Sequence, residues 1–168
     1  MKRVLIIGCA GSGKTTFAQQ VSKHFNLPLI HLDYYYHQRE YSYYSDKTLW
    51  VQKVKQLATS DRWIIDGNYT SSLADRLDRA DTVFFLDYPR RVYLLRLLKR
   101  RVQNKKRYDM PSDWRERIGP QFLIQVLKYK NIKRPFILSE LAKHRDVTLI
   151  TLSSPRQAKD YLESLADF

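Results

Sequence analysis

Cysteine is nearly absent from this chain: Cys9 stands alone among 168 residues, so no internal disulfide can form and no multi-cysteine zinc site can assemble. Long apolar runs are missing too. The longest are about four or five residues, against the ~18 that a membrane-spanning helix needs. The opening MKRVLII has the basic end and apolar stretch of a signal peptide, but the run breaks at Gly8 before a secretory core has formed. Glycine and proline are few, five and six, and nowhere gather into a linker. With no internal repeat either, the chain reads as one continuous domain over residues 1–168. A chain of this length buries roughly 68–70 % of its unfolded surface and folds without a disulfide or a metal. Export, membrane insertion and a disulfide scaffold are not expected, and a cytoplasmic location is.

Acidic residues are the scarcer charge, 17 Asp+Glu against 30 Lys+Arg, for a net charge of +13. The imbalance is local. Residues 90–134 hold 15 basic side chains and three acidic ones (Asp109, Asp113, Glu116), a net of +12, whereas the other 123 residues hold 15 against 14. One segment is thus built to face anions, either the phosphates of a nucleotide or the backbone of a nucleic acid.

What the chain does have is alternation. Runs rich in branched and aromatic residues at 4–7, 29–32, 63–65, 82–86 and 147–152 read as strands. Stretches with apolar residues near i, i+3, i+4 read as helices at 14–25, 49–58 (capped by Ser45 or Asp46), 90–102, 122–129, 136–142 and 158–165. Strand and helix in turn predict an α/β fold in three layers, a five-stranded parallel sheet with helices on both faces. Strands with little polar alternation, such as VLII and VFFL, suit burial on both sides. Residues 34–45, with six of the twelve tyrosines and no period, read as a loop, and the polar, basic residues 104–113 as a flexible flap between helices. Ligands of open α/β sheets sit beyond the carboxyl ends of strands, where both segments would lie.

The most specific signal is GCAGSGKT, residues 8–15, which meets G-x-x-x-x-G-K-[ST] in full between a strand and a helix. Its glycines let successive backbone N–H groups turn inward on phosphate oxygens, and the helix amino end adds further donors and a favourable dipole. Gly8, Gly11, Ser12, Gly13, Lys14, Thr15 and Thr16 are the expected nucleotide-binding set; Lys14 would reach the β/γ-phosphates and Thr15 would place its hydroxyl on Mg²⁺. Four specified positions match by chance in only about 1 % of chains this long, taking glycine at about 7 % of residues. Cys9, inside the loop, reads as a small space-filler rather than a redox thiol.

With WIIDGN at residues 63–68 and FFLDYPRRVYLLRLLKRR at 84–101, the chain resembles adenylate kinases and related small P-loop kinases, and is most similar to the bacterial DNA topology modulation proteins. The resemblance spans nearly the whole chain and implies a P-loop NTPase fold with a short arginine-bearing lid at about 104–117. It implies Asp66 as a carboxylate that holds Mg²⁺, Arg96 against the adenine base, Arg100 on the nucleotide phosphates, and Arg107, Arg115 or Arg117 closing on the transferring phosphoryl group. Asp87 matches a strand-end D-x-P, and Ser154 and Pro155 an adenine-side loop. Arg96 and Arg100, four apart, share one helix face in any case. The chain departs from adenylate kinases where two arginines clamp the acceptor phosphate: Tyr36 and Thr70 stand there instead. An AMP-like acceptor should bind poorly.

On the acceptor side, HLDYYYHQ follows the second strand, and Asp33 is placed to take a proton from an incoming hydroxyl. Tyr34, Tyr35, Tyr36, Tyr41, Tyr43 and Tyr44 supply a candidate aromatic wall, with Asn68 and Tyr69 opposite. The leading expectation is an ATP- and Mg²⁺-dependent phosphotransferase acting on a nucleotide, nucleoside or other small molecule. Two others stand beside it: an ATP-binding regulator that contacts nucleic acid, motivated by the basic segment, and an ATP-binding protein that has lost catalysis.

Overall fold

Strand β1 (Arg3–Gly8) is buried from Val4 onward, β3 (Trp63–Asp66) and β4 (Thr82–Leu86) along their whole lengths, and strands apolar on both faces belong in the middle of a sheet. In the computed structural model, which describes residues 1–37, 46–103, 109–111 and 119–166, they form the centre of a five-stranded parallel sheet. Its order is β2-β3-β1-β4-β5, with β2 (Leu29–His31) and β5 (Thr148–Leu152) at the edges.

Because successive side chains of a strand point to opposite faces, the sheet has two apolar surfaces and two cores. Leu5, Ile7, Ile65, Val83 and Phe85 face one core. Against them pack α3 (Lys47–Leu57) through Trp50 and Val54, α4 (Leu73–Leu77) through its terminal leucines, and α5 (Arg90–Gln103) through Tyr93 and Leu97. Helices α6 (Pro120–Lys128) and α7 (Lys133–Lys143) close that side with Val126 and Ile137. Val4, Ile6, Ile64, Phe84 and Leu86 face the other core, filled by Phe17, Ala18 and Val21 of α1 (Lys14–Phe25) and Ala158 of α8 (Pro155–Ala166). There Phe84 takes Phe17 and Tyr161 edge-on, at centroid distances of 5.1 and 5.2 Å.

The three-layer α/β architecture is thus the one the alternation predicts. Of the two caps anticipated for α3, Asp46 is used, accepting a hydrogen bond from the Thr48 N–H at 2.7 Å. One reading needs correction: residues 34–36 belong to a short helix, α2 (Leu32–Tyr36), rather than to a loop. Fully buried Leu32 pins its start and Asp33 lies in its first turn, where a carboxylate complements the helix dipole. The rest of that expected loop, residues 38–45, lies outside the described residues. A 3-10 turn at Thr70–Ser72 running into α4 was also not foreseen, since a helix this short shows only the Leu73–Leu77 spacing in the sequence.

The strand order places the ligand crevice. From β1 the chain runs outward to β2, returns through β3, and then crosses β1 to reach β4. The loops leaving β1 and β3 therefore stand side by side at the carboxyl end of the sheet, at its topological switch point.

Candidate functional site

The loop after β1 keeps the curled shape its glycines allow. Gly8, Gly11 and Gly13 have φ of 154, 81 and 90°, all in the range that favours glycine. A Cβ on Gly8 would come within 2.7 Å of the Leu86 carbonyl oxygen, and one on Gly11 within 2.7 Å of that of Tyr93. Only glycine lets the loop lie this close against β4 and α5. The Ser12 N–H donates to the Cys9 carbonyl at 3.1 Å, and that of Phe17 to Gly13 at 3.0 Å, which starts α1. The Lys14 ammonium reaches back across the loop to the Cys9 carbonyl at 3.1 Å.

Register brings Asp66 to this loop. Asp66 ends β3 and pairs with Ile6 of β1 and His31 of β2, so its carboxylate faces the first turn of α1. There the Thr15 hydroxyl lies 2.8 Å from Asp66 Oδ2 and 3.2 Å from Oδ2 of Asp109, while His31 Nδ1 lies 3.3 Å from Asp66 Oδ2. Asp66 is 5 % exposed, and its Oδ1 is buried without a hydrogen-bond partner. A hydroxyl and a carboxylate with an unsatisfied oxygen are hard oxygen donors of the kind Mg²⁺ takes, so the residues fit that ion. Among the described residues no group of three or more His, Cys, Asp or Glu side chains forms a protein-only metal cage.

The cradle opens into a cleft of about 1730 Å³ that also holds Arg96, Arg100 and Pro155. Arg96 leans on the loop itself: its Nη1 donates to the Ser12 carbonyl at 2.7 Å, and its guanidinium lies 5.7 Å from the centre of the Tyr88 ring. Both arginines, four residues apart on one helix face, line the cleft. Thr16, in the first turn of α1, lines it too, whereas Ser154 caps α8, its Oγ accepting from the Gln157 N–H at 3.1 Å. Arg107, Arg115 and Arg117 lie outside the described residues.

The same cleft holds the proposed acceptor residues. Asp33 lines it, and its Oδ1 accepts a hydrogen bond from the Tyr69 hydroxyl at 2.8 Å. Only part of the expected run of tyrosines lies among the described residues. Tyr36, Trp50 and Tyr69 form a triangle with centroid distances of 4.8 to 5.0 Å, from three separate elements. Tyr35 packs against the core and Tyr34 is exposed; Tyr41, Tyr43 and Tyr44 lie outside the described residues.

One supporting residue, Arg76, escapes sequence reasoning, and others take structural roles it did not assign. Arg76 is fully buried and holds the loop after β3 by four carbonyls, from Nε to Ser72 at 3.2 Å, Nη1 to Gly67 at 2.8 Å, and Nη2 to Asn68 and Tyr69 at 2.7 and 3.0 Å. Burial pulls its pKa down to about 10, with Tyr69, Asp66 and Asp75 acting against that fall. Within LADRLDRAD it looks like any solvated helix arginine. Asn68, expected to bind the acceptor from the side opposite the tyrosines, accepts the Gly8 N–H at 2.9 Å and so ties the two loops together. Asp87 receives Lys130 at 2.7 Å and Arg134 at 2.8 Å, fastening α7 and the turn before it to the end of β4. Burial would raise its carboxyl pKa, but the hydrogen bonds from Arg134 and Lys130 outweigh that and lower it. Burial raises the Cys9 thiol to about 11, beyond what nearby Lys14 offsets, so the loop thiol is inert filler.

No protein-family model matches the chain, and no curated protein sequence is similar to it. Solved structures are. A shikimate kinase from Bacteroides thetaiotaomicron superposes with a TM-score of 0.62 at 17 % identity, covering 99 % of this chain and 96 % of that one. A shikimate kinase from Acinetobacter baumannii in complex with shikimate gives 0.62 at 15 %, over 99 % and 92 %. Deoxyadenosine kinase from M. mycoides with bound dATP gives 0.57 at 14 %, over 98 % and 97 %. At such identities the likeness establishes the fold. It is the fold of small P-loop kinases, with a parallel sheet of order 2-3-1-4-5. No described helix is long and apolar enough to cross a membrane.

Proposed function

We propose that this protein is a phosphotransferase that moves the γ-phosphoryl group of ATP to a hydroxyl of a small molecule. The observation that carries the reading is the sharing of one cleft: the glycine-turned loop with Lys14 and Thr15 lines it, and so does Asp33. Donor phosphates would lie in the loop, held by backbone N–H groups, the Lys14 ammonium and the helix amino end. Thr15 and Asp66 would hold Mg²⁺, which supplies charge neutralisation to the phosphate oxygens. Arg96 and Arg100 take the nucleotide side, with Ser154 and Pro155 near the base, and Arg107, Arg115 and Arg117 are assigned to the developing charge. Asp33, oriented by Tyr69, accepts the acceptor's hydroxyl proton as the oxygen bonds to the γ-phosphorus and the bond to the ADP oxygen breaks.

Tyr36 and Thr70, which replace the phosphate-clamping arginines of adenylate kinases, both line the cleft without charge. That favours an uncharged hydroxyl acceptor over a nucleoside monophosphate. On its WIIDGN and FFLDYPRR segments we read the chain as similar to the DNA topology modulation proteins, and as one cytoplasmic domain. Direct nucleic-acid binding is the lesser reading, because five basic residues of the 90–134 segment already have work within the fold: Arg96 on the loop, Lys130 and Arg134 on Asp87, Arg100 and Lys133 in the cleft.

The test is ATP consumption with Mg²⁺ against a panel of nucleosides, nucleotides and small alcohols. Acceptor-dependent ADP release supports the reading. Absence of ATP binding by calorimetry removes it, and a steep loss of DNA affinity with salt would favour the nucleic-acid reading instead.

A further inference from the structure

The loop after β3 does not hold its own shape. Gly67 has φ of 139°, and Tyr69 has φ of 20° and ψ of 75°, a backbone conformation that a residue with a bulky side chain rarely adopts. Such a conformation persists only where its surroundings impose it. Arg76 does so here. Its Nη2 donates to the carbonyls of Asn68 and Tyr69 at 2.7 and 3.0 Å, the two that flank the Tyr69 Cα, so one nitrogen restrains both dihedrals of that residue. Nη1 and Nε extend the grip to Gly67 and Ser72. Burying a whole guanidinium is costly. A contact that only seated α4 on the sheet would be served by leucine, as it is at Leu73 and Leu77.

The grip reaches the phosphate loop through one further bond. The pairing of β1 with β3 ends at Ile6 opposite Asp66, and the Gly67 N–H closes it on the Ile6 carbonyl at 3.3 Å. The Gly8 N–H comes next on the same side of β1, because donors alternate sides along a strand. It lies beyond the end of β3, and Asn68 Oδ1 accepts it at 2.9 Å in place of a strand carbonyl. Gly8 opens the glycine-turned loop and lies against Leu86 of β4.

We propose that Arg76 is a positioning residue of the phosphate loop: by fixing the backbone at Asn68 and Tyr69 it aims the Asn68 side chain at the Gly8 N–H, and so sets where the donors of the loop stand for the nucleotide phosphates. Arg76 has no exposed surface, so it acts only through Asn68. The inference rests on the kinase reading above.

The test pairs two measurements on the full chain, each well below the melting temperature of the variant. One is calorimetric binding of a non-hydrolysable ATP analogue with Mg²⁺, and the other is the exchange rate of the Gly8 amide in the free protein, read by NMR. Arg76→Met and Asn68→Ala should each weaken analogue binding about tenfold and speed exchange at Gly8. The double variant should lose no more than the worse single one, because the two residues act in series. Arg76→Lys keeps the charge without the planar fork and should behave as Arg76→Met does. If Arg76→Met does not fold, Arg76→Lys and Asn68→Ala make the same comparison. Variants that melt lower but bind the analogue as tightly as the wild type show a purely structural role and overturn the inference, leaving the kinase reading intact. Additive losses in the double variant, or unchanged exchange at Gly8, overturn it as well. Failure of the wild type to bind the analogue overturns both.

Discussion

The two halves of the cleft are built on different principles. The half proposed to hold the phosphate donor is made of backbone: a strand end, a loop forced into shape by glycines at positive φ, and the first turn of a helix, with Asp66 delivered by strand register. Its functional atoms are largely N–H groups whose positions follow from the chain path. The half proposed to take the acceptor is made of side chains gathered from α2, α3 and the loop after β3: Asp33, Tyr36, Trp50 and Tyr69, steadied from below by Arg76. A fixed chemical task, holding a triphosphate, tolerates a fixed motif. On the proposed function, the part of the task that depends on the acceptor falls to side chains, of which Trp50 also packs α3 onto the sheet.

Substitutions on the two sides should separate these roles. Lys14→Ala removes the one side-chain cation within the loop motif and is expected to lower phosphoryl transfer by about 10³-fold with the melting temperature unchanged. Asp33→Asn should cost about 10²-fold in kcat while ATP affinity, measured by calorimetry, stays the same. Equal losses of ATP binding in both variants would erase the distinction between the halves.

Arg76→Met tests the support beneath the acceptor side. It strips four carbonyls of a buried charged donor and is expected to destabilise the fold by about 3 kcal/mol. In a chain of this size that is roughly 6–12 °C in Tm. Arg76→Lys should not rescue it, because an ammonium cannot reproduce the planar fork. A melting curve that does not move would show that the loop stands without it.

Cys9 sharpens the view of the donor loop as rigid. With its thiol raised to about 11 by burial, alkylation of the native protein at neutral pH should be at least about a hundredfold slower than that of an unfolded control. Rapid native labelling would mean that the loop opens.

The smallest effect lies far from the cleft. His144 bonds the Glu140 carbonyl at 2.8 Å through Nδ1 and Asp78 at 3.0 Å through Nε2. Its pKa is raised, first by the Glu140 carbonyl and, after a counteracting desolvation, by Asp78. The charged ring can donate to both partners, the neutral ring to one. A group raised in the folded state contributes its full stabilisation below the unfolded histidine pKa and loses it as pH rises through the folded one. The tie between α4 and α7 should therefore slacken modestly from pH 6 to pH 8, and His144→Asn should remove that part of the pH dependence of Tm.

Strand and helix order were readable because each strand carries a short, unbroken apolar run and each long helix a 3.6-residue period. The phosphate loop was readable because its geometry demands glycine at set positions. Asp109 was not, being one acid in a polar stretch whose position depends on how the chain folds back after α5. The aromatic triangle was not legible for a similar reason: Tyr36, Trp50 and Tyr69 meet only once α2, α3 and the loop after β3 pack together.

By itself, then, the sequence determined the layered α/β sheet and the phosphate-binding loop, because local periodicity and glycine's freedom at positive φ act over a few residues. Tertiary structure alone decided which side chains meet in the cleft: Asp66 and Asp109 on Thr15, and Tyr69 on Asp33. Those pairings join residues distant in the chain, and strand order and register, not spacing along the sequence, set the distances between them.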